Sequence, residues 1–144
     1  MKKLLGVAFA ALVSFGPAVA SAKEWTKIRF ATEGAYAPFN FVQPDGEVAG
    51  FDVDIAKALC DEMKAECTIV KQDWDGMIPA LLARKFDAVI ASMSITEERK
   101  QRVDFTDKYQ QTPARHVSKK GSGFAFSPET LKDKNIGVQR ETIH

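Results

Sequence analysis

The stretch SMSITEER, running from Ser92 to Arg99, follows directly on the apolar run FDAVIA and sets Ser92, Ser94, Thr96 and Arg99 within eight positions. Hydroxyls beside a guanidinium suit the gripping of a small anion. Thr96 has the chemistry of a helix N-cap, with Glu97 and Glu98 opening the helix, and capping alone accounts for it. Capping does not account for Arg99, because a cation near a helix N-terminus is mildly unfavourable. The planar fork of an arginine matches a carboxylate through two parallel hydrogen bonds, and free backbone amides at a helix start add to that. A solvated arginine on a short surface helix uses the same residues. The stretch alone leaves both readings open.

Three more residues bear on the choice. Tyr36 and Trp74 each follow a predicted strand, so flat rings are expected at the sheet edge that carries Arg99, where they could flank an aliphatic stem or stack on a cation. Core packing is the competing role for both. The Gly/Pro-containing surroundings of Tyr36 favour a mouth. Glu33, three residues before Tyr36, is placed either to face the far end of a ligand or to stand as a surface carboxylate. Other chemistries fit poorly. His116 and His144 are the only histidines, no GxSxG elbow occurs, and Ser92 and Ser94 have no nearby base, which argues against a serine hydrolase. Metal-ligand clusters and a Gly-rich phosphate cradle are both missing from the sequence, so no metal or cofactor is expected.

The elements that must position these groups alternate. KIRFAT has the period-two pattern of a strand, EGAYAPFNF breaks it, and PDGE supplies turn chemistry for a hairpin-like excursion. From Phe51 the period changes. Ile55, Leu59 and Met63 recur every four residues, with Ala56 and Cys60 beside them, as on one apolar helical face. Asp52 and Asp54 fall in the first turn, where negative charge complements the helix dipole. CTIVK reads as a strand, DGMIPALLARK as a helix, FDAVIA as a strand and TEERKQR as a short helix. VDFT begins another strand, SPETLKDK is a capped helix with Pro128 at its first position, and NIGVQ is a last strand. This spacing is the βαβ signature of a mainly parallel α/β sheet, whose ligands bind at the carboxyl ends of the strands. SMSITEER lies at such an end.

The chain has 144 residues, and its start has the order of a secretory signal: a basic MKK, the apolar run LLGVAFAALVSFGPAV, and the small residues Ala20 to Ala22. Cleavage near Ala22 removes Lys2 and Lys3 and turns the formal net charge of +1 slightly negative. Nucleic acid and anionic membranes, which need a concentrated basic surface, are therefore not expected as partners. A hydrophobic content of 45% suits a globular core. Cys60 and Cys67, in CDEMKAEC, form either a staple from helix end to next strand, permitted by export, or two buried thiols.

The strings ATEGAYAPFNF, GFDVDIAKALCDEM, DWDGMIPALLARKFDAVIASMSITEERKQRVDFT and IGVQRET together resemble the polar amino-acid-binding family, the extracytoplasmic solute-binding proteins of ABC amino-acid importers. The chain is most similar to the lysine/arginine/ornithine and histidine binders, and the resemblance covers nearly everything after the signal. It implies a two-lobed periplasmic-binding-protein fold of type II that closes on one amino acid and delivers it to a membrane permease. Residues 1–22 would be the signal, 23–110 the first lobe without its return segment, 111–114 a hinge strand, and 115–144 the start of the second lobe. By position, Arg99 would take the ligand's α-carboxylate, helped by the hydroxyl and amide of Ser94. Ser92 would offer its carbonyl to the α-amino group, and Tyr36 and Trp74 would flank the side chain. Glu33 would meet a distal positive charge, and Thr142 would bring a second-lobe hydroxyl to the carboxylate. Cys60 and Cys67 match the disulfide of the basic-amino-acid members.

Some positions depart from the family pattern. Ala91 stands where a serine is frequent, Glu141 where glycine is usual, Ile143 where threonine is frequent, and Gln110 where a second tyrosine is common. Family members run to roughly twice this mature length, so the resemblance implies a truncated form with weak binding or none. The expected protein is a periplasmic, monomeric binder of a basic amino acid or a related opine. The alternatives are a cyclohexadienyl (prephenate/arogenate) dehydratase-like enzyme on the same fold and a sensor input domain.

Overall fold

In KIRFAT the apolar residues alternate at first and then run on, and the strand they form, β1 (Lys27–Thr32), is buried on both sides at its carboxyl end. This is a computed structural model, and it describes residues 24–143; the expected signal, its cleavage point near Ala22 and His144 lie outside the described residues. After β1 the chain forms a small antiparallel sheet from β2 (Ala35–Tyr36), β3 (Asn40–Val42) and β4 (Val48–Ala49), in that spatial order. The PDGE turn joins β3 to β4, with the Gly46 N–H donating to the Gln43 carbonyl at 2.9 Å. Gly50 then starts α1 (Phe51–Met63) at φ 119. A Cβ there would lie 2.5 Å from the Phe39 carbonyl oxygen, so only glycine lets the helix start this close to the hairpin.

The helix α1 ends at Lys64, whose left-handed φ of 53 lets the Ala65 N–H reach the Cys60 carbonyl at 3.0 Å. Next come β5 (Glu66–Lys71), a 3-10 turn (Trp74–Gly76), α2 (Met77–Leu82) and β6 (Ala88–Val89). β1 is central and parallel to both neighbours, in the order β5-β1-β6, pairing Lys27 with Glu66 through Thr32 with Lys71 on one side and Phe30 with Ala88 on the other. Each face of this sheet is covered by a helix, as parallel sheets require. Ile28 and Phe30 pack with Ala56 and Cys60 of α1, while Ala31 packs with Met77 and Ala80 of α2 and with Phe86. A disulfide joins Cys60 of α1 to Cys67 of β5 across a Cα separation of 6.1 Å. Of the two roles left open for the cysteines, the staple is the one found.

Two more helices follow, α3 (Glu97–Lys100) and α4 (Pro128–Leu131), each started by the hydroxyl cap its sequence offers, Thr96 and Ser127. Other boundaries differ from expectation. The second long helix stops at Leu82, because Arg84 turns left-handed (φ 58) and the chain doubles back to bury Phe86. Backbone pairing of FDAVIA with β1 runs from the Asp87 N–H on the Arg29 carbonyl to the Ile90 N–H on the Ala31 carbonyl, both at 2.9 Å. The stretches VDFT and NIGVQ, expected as strands, join no sheet among the described residues, and Ile136 and Val138 are exposed. Alternation marks which side of a strand is apolar; it does not supply the neighbour that makes a strand.

Asp52 departs furthest from its expected role. Placed in the first turn of α1 as a partner of the helix dipole, its side chain is wholly buried. Its oxygens accept from Asn40 Nδ2 at 2.7 Å, Ser92 Oγ at 3.0 Å and Tyr109 Oη at 2.8 Å. The Tyr109 hydroxyl accepts in turn from the Ser92 N–H at 3.0 Å, and Gln110 Nε2 donates to Ser92 Oγ at 2.6 Å. The Asn40 side-chain Oδ1 accepts from the Gly34 N–H at 2.8 Å. One carboxylate thus ties together the loop after β1, the hairpin, the start of α1, the loop after β6 and the segment at Tyr109.

Burial, then the hydrogen bond to Asp52 and the charge of that carboxylate, push the Tyr109 phenol up to about 12. A raised phenol stabilises the fold fully below its unfolded value near 10, and that contribution is lost as pH climbs through about 12. With only two tyrosines in the chain, absorbance titration at 295 nm resolves this. Tyr109 should ionise near 12, and in Asp52→Asn at a lower pH; a Tyr109 that ionises near 10 in the native chain contradicts the network. Replacing both Cys60 and Cys67 by serine should cost about 2–3 kcal/mol in chemical denaturation, the loop-closure value for so short a loop.

Candidate functional site

Three parallel strands leave the sheet at the same edge, so the residues after them converge. Glu33 follows the central β1, Trp74 opens the 3-10 turn after β5, and Ser92 follows β6. From Ser92 the chain needs a sharp change of direction, and Ser92 itself takes a left-handed φ of 51. The loop then reaches Thr96, whose hydroxyl accepts from the Arg99 N–H at 3.2 Å and starts α3. That cap sets Arg99 back over the strand ends rather than out along the helix.

The Arg99 guanidinium is held on three sides. Nη1 donates to the Ser94 carbonyl at 2.8 Å, the cation lies 5.6 Å from the centre of the Trp74 ring, and Nη2 donates to the Glu141 carbonyl at 2.7 Å. Partial burial lowers its pKa, opposed by the charges of Glu98 and Glu141. The Trp74 indole N–H donates to the same Glu141 carbonyl at 3.1 Å. Two donors therefore converge on one oxygen position. At the other end Glu33 Oε1 accepts from Gln139 Nε2 at 2.7 Å. The edge offers donors for an oxygen at one end and a carboxylate for an N–H group at the other.

The remaining expected residues fall in different places. Ser94 orients Arg99 through its backbone carbonyl. The Ser92 hydroxyl and N–H are taken by Asp52 and Tyr109. Tyr36, in β2, packs its ring on Phe39 at 5.0 Å, and the row continues through Phe51 to Tyr109 at 6.4 and 6.3 Å. Trp74 instead pairs with Arg99, so the two rings expected to act together belong to separate groups. The Thr142 hydroxyl donates to the Gln139 carbonyl at 2.7 Å and closes a turn.

Sequence reasoning missed Asp52 as the anchor of this edge, and Phe51 as a member of the aromatic row. An acidic residue at a helix start reads as surface charge, and the available signal was its company: FDVD directly after a glycine that must adjoin a turn. A cavity of about 460 Å³ lies on the other side of Ser92 and Ser94, lined by Leu81, Val89, Met93, Ile95 and Phe105 among others. Glu33, Trp74 and Arg99 do not line it, whereas Ser92, Ser94, Tyr109 and Gln110 do, with the charged Asp104 and Lys108, so its walls are polar as well as apolar. Among the described residues no three histidine, cysteine, aspartate or glutamate side chains gather as a metal site.

Comparison with known proteins gives the family. The chain is 54% identical over 113 residues to the L-arginine-binding protein of Pseudomonas aeruginosa, an alignment covering 78% of this chain and 44% of that protein. It is 44% identical to ABC transporter arginine-binding protein 1 of Escherichia coli over 144 residues, which is 100% of this chain and 56% of that one. The chain thus spans about half the length of these relatives. Among solved structures, an ancestral arginine-binding protein bound to arginine superposes with a TM-score of 0.59 at 43% identity, covering 61% of this chain and 39% of that chain. That likeness makes the α/β sheet described above part of the two-lobed fold of periplasmic amino-acid-binding proteins. Residues 28–140 match the family model itself, and the chain belongs to the bacterial extracellular solute-binding proteins, family 3.

Proposed function

We propose that the protein is the extracytoplasmic amino-acid-binding component of an ABC importer, that it takes a basic amino acid, and that it works in the periplasm as a monomer. The observation that carries this reading is the pairing of opposite chemistry along one sheet edge. Arg99, braced by the Ser94 carbonyl and the Trp74 face, offers its fork to an oxygen, and Glu33 offers a carboxylate at the other end. A free amino acid with a cationic side chain carries the complementary groups, an acid at one end and a positive charge at the other. The relatives named for arginine support this assignment.

In this reading Arg99 binds the α-carboxylate with the Trp74 indole, and Glu33 binds the distal charge. Ser94 assists at the carboxylate, Ser92 holds the loop and offers its carbonyl to the α-amino group, and Tyr36 and Thr142 contribute from the hairpin and from the turn near the carboxyl end. Residues 23–110 form the first lobe, 111–114 the hinge and 115–144 the start of the second. The loaded protein hands its ligand to a membrane permease. The relatives are named for what they bind, and the role assigned is accordingly that of a binder and not an enzyme.

Calorimetry with a panel of amino acids tests the assignment. Arg99→Ala should weaken every α-amino acid alike, and Glu33→Gln should weaken the cationic ones selectively, each by roughly 2–5 kcal/mol where a charged pair loses one partner. Preference for glutamate or leucine would refute the cationic assignment. Incubation with prephenate should release no product; turnover would overthrow the binder reading in favour of a dehydratase-like enzyme.

A further inference from the structure

Asp52 connects the two ends of the proposed site through other residues. On one side Asn40 Nδ2 donates to it, and Oδ1 of the same amide accepts from the N–H of Gly34, the residue after Glu33. On the other side the Ser92 and Tyr109 hydroxyls donate to it, and Tyr109 Oη accepts from the Ser92 N–H. Donors therefore reach both carboxylate oxygens: Asn40 at Oδ2, Tyr109 at Oδ1 and Ser92 at both. A carboxylate accepts on both oxygens, whereas an amide of the same shape has an acceptor on one side and donors on the other. With an amide oxygen toward Tyr109 and Ser92, an NH2 group would face the NH2 of Asn40. Asn40 relieves that only by turning its own amide over, and it then presents donors to the Gly34 N–H. One side or the other loses its partner.

We propose that Asp52 is a positioning residue: it holds the Gly34 peptide, and with it Glu33, in register with Ser92 and the loop to Arg99, so that a ligand finds both ends of the site pre-set. This rests on the reading of Glu33 and Arg99 as those ends. The strands alone do not fix either group. Gly34, at φ 75, has the freedom of a glycine, and Ser92, at φ 51, sits in a left-handed region that a side chain with a Cβ disfavours. Both conformations need a hold from outside the local chain, and the bonds gathered by Asp52 supply it. Groups held in place before a ligand arrives raise affinity by removing an ordering cost from binding. The gain is largest for a ligand that uses both ends at once.

Calorimetric titration of the full chain with L-arginine tests this. Asp52→Asn should weaken binding about 10-fold, and Asn40→Asp/Asp52→Asn should recover most of the loss. In that exchanged pair the carboxylate takes the Gly34 N–H and the facing amide, whose oxygen is left for Ser92 and Tyr109. A general loss of stability would weaken arginine equally whatever stands at position 33. In a Glu33→Gln background, where the distal end carries no charge, Asp52→Asn should instead cost only about 2- to 3-fold. No loss in Asp52→Asn, an equal cost in both backgrounds, or no recovery in the exchanged pair overturns the proposal. Should Asp52→Asn not fold, Tyr109→Phe, which spares the carboxylate but leaves the Ser92 N–H without its acceptor, carries the same comparison. A second readout needs no ligand. At least one of the Gly34 and Ser92 amides should exchange with solvent faster in Asp52→Asn than in the native chain, while the Asp87 and Ile90 amides, bonded to β1, keep their rates. Unchanged rates at Gly34 and Ser92, or a rise shared by all four amides, overturn the proposal. If the native chain takes up no arginine, the amino-acid reading fails, and the exchange rates alone decide whether Asp52 sets the two strand ends.

Discussion

A carboxylate with no exposed surface must be surrounded by donors, and Asp52 collects its donors from parts of the chain that are far apart in sequence. Leaving buried polar groups unpaired is costly, typically about 1–3 kcal/mol for each. The hairpin, the start of α1, the loop after β6 and the segment at Tyr109 can therefore be satisfied together only in one arrangement. That arrangement fixes Ser92 in its left-handed conformation, and the direction of the chain beyond Ser92 follows from it. The arginine that defines the candidate site is thus placed by a group that does not touch it.

Arg99 illustrates how a locally unfavourable choice becomes useful. The helix α3 is one turn long, so Arg99 stands in its last turn as much as in its first, and the cost it bears is partial burial. Two features offset this, the Ser94 carbonyl and the electron-rich face of Trp74. Neither satisfies the second arm of the fork. An acceptor has to be supplied there, by the chain or by a bound molecule, and the indole N–H alongside raises the demand for the same oxygen. Here the Glu141 carbonyl is that acceptor, taking Arg99 Nη2 at 2.7 Å and the indole N–H at 3.1 Å.

Much of this was legible in the sequence, and what was not has a common cause. The parallel order of KIRFAT, CTIVK and FDAVIA follows from their apolar pattern and the helical stretches between them, and the hydroxyl caps at Thr96 and Ser127 stand where local chemistry puts them. Arg99, Trp74 and Glu33 could be placed at one edge because parallel strands share a direction. Local pattern failed where a residue's role depends on remote partners. Asp52 has the same sequence surroundings whether it faces water or the hydroxyl of Tyr109, and NIGVQ alternates like a strand without a neighbour to pair with among the described residues. Tyr36 was expected at that edge from its order along the chain, but it lies in β2 of the antiparallel sheet and its ring packs on Phe39.

The sheet also sets what the edge can hold. Glu33 emerges from the middle strand, between the strand ends that lead to Trp74 and to Arg99. A molecule meeting both the Arg99 fork and the Glu33 carboxylate must carry an oxygen acceptor and an N–H donor. A larger anion such as a nucleotide would engage Arg99 but leave Glu33 facing negative charge. Under the proposed function, a carboxylate in place of an amide at Glu33 is what favours a ligand with a distal positive charge over a neutral one.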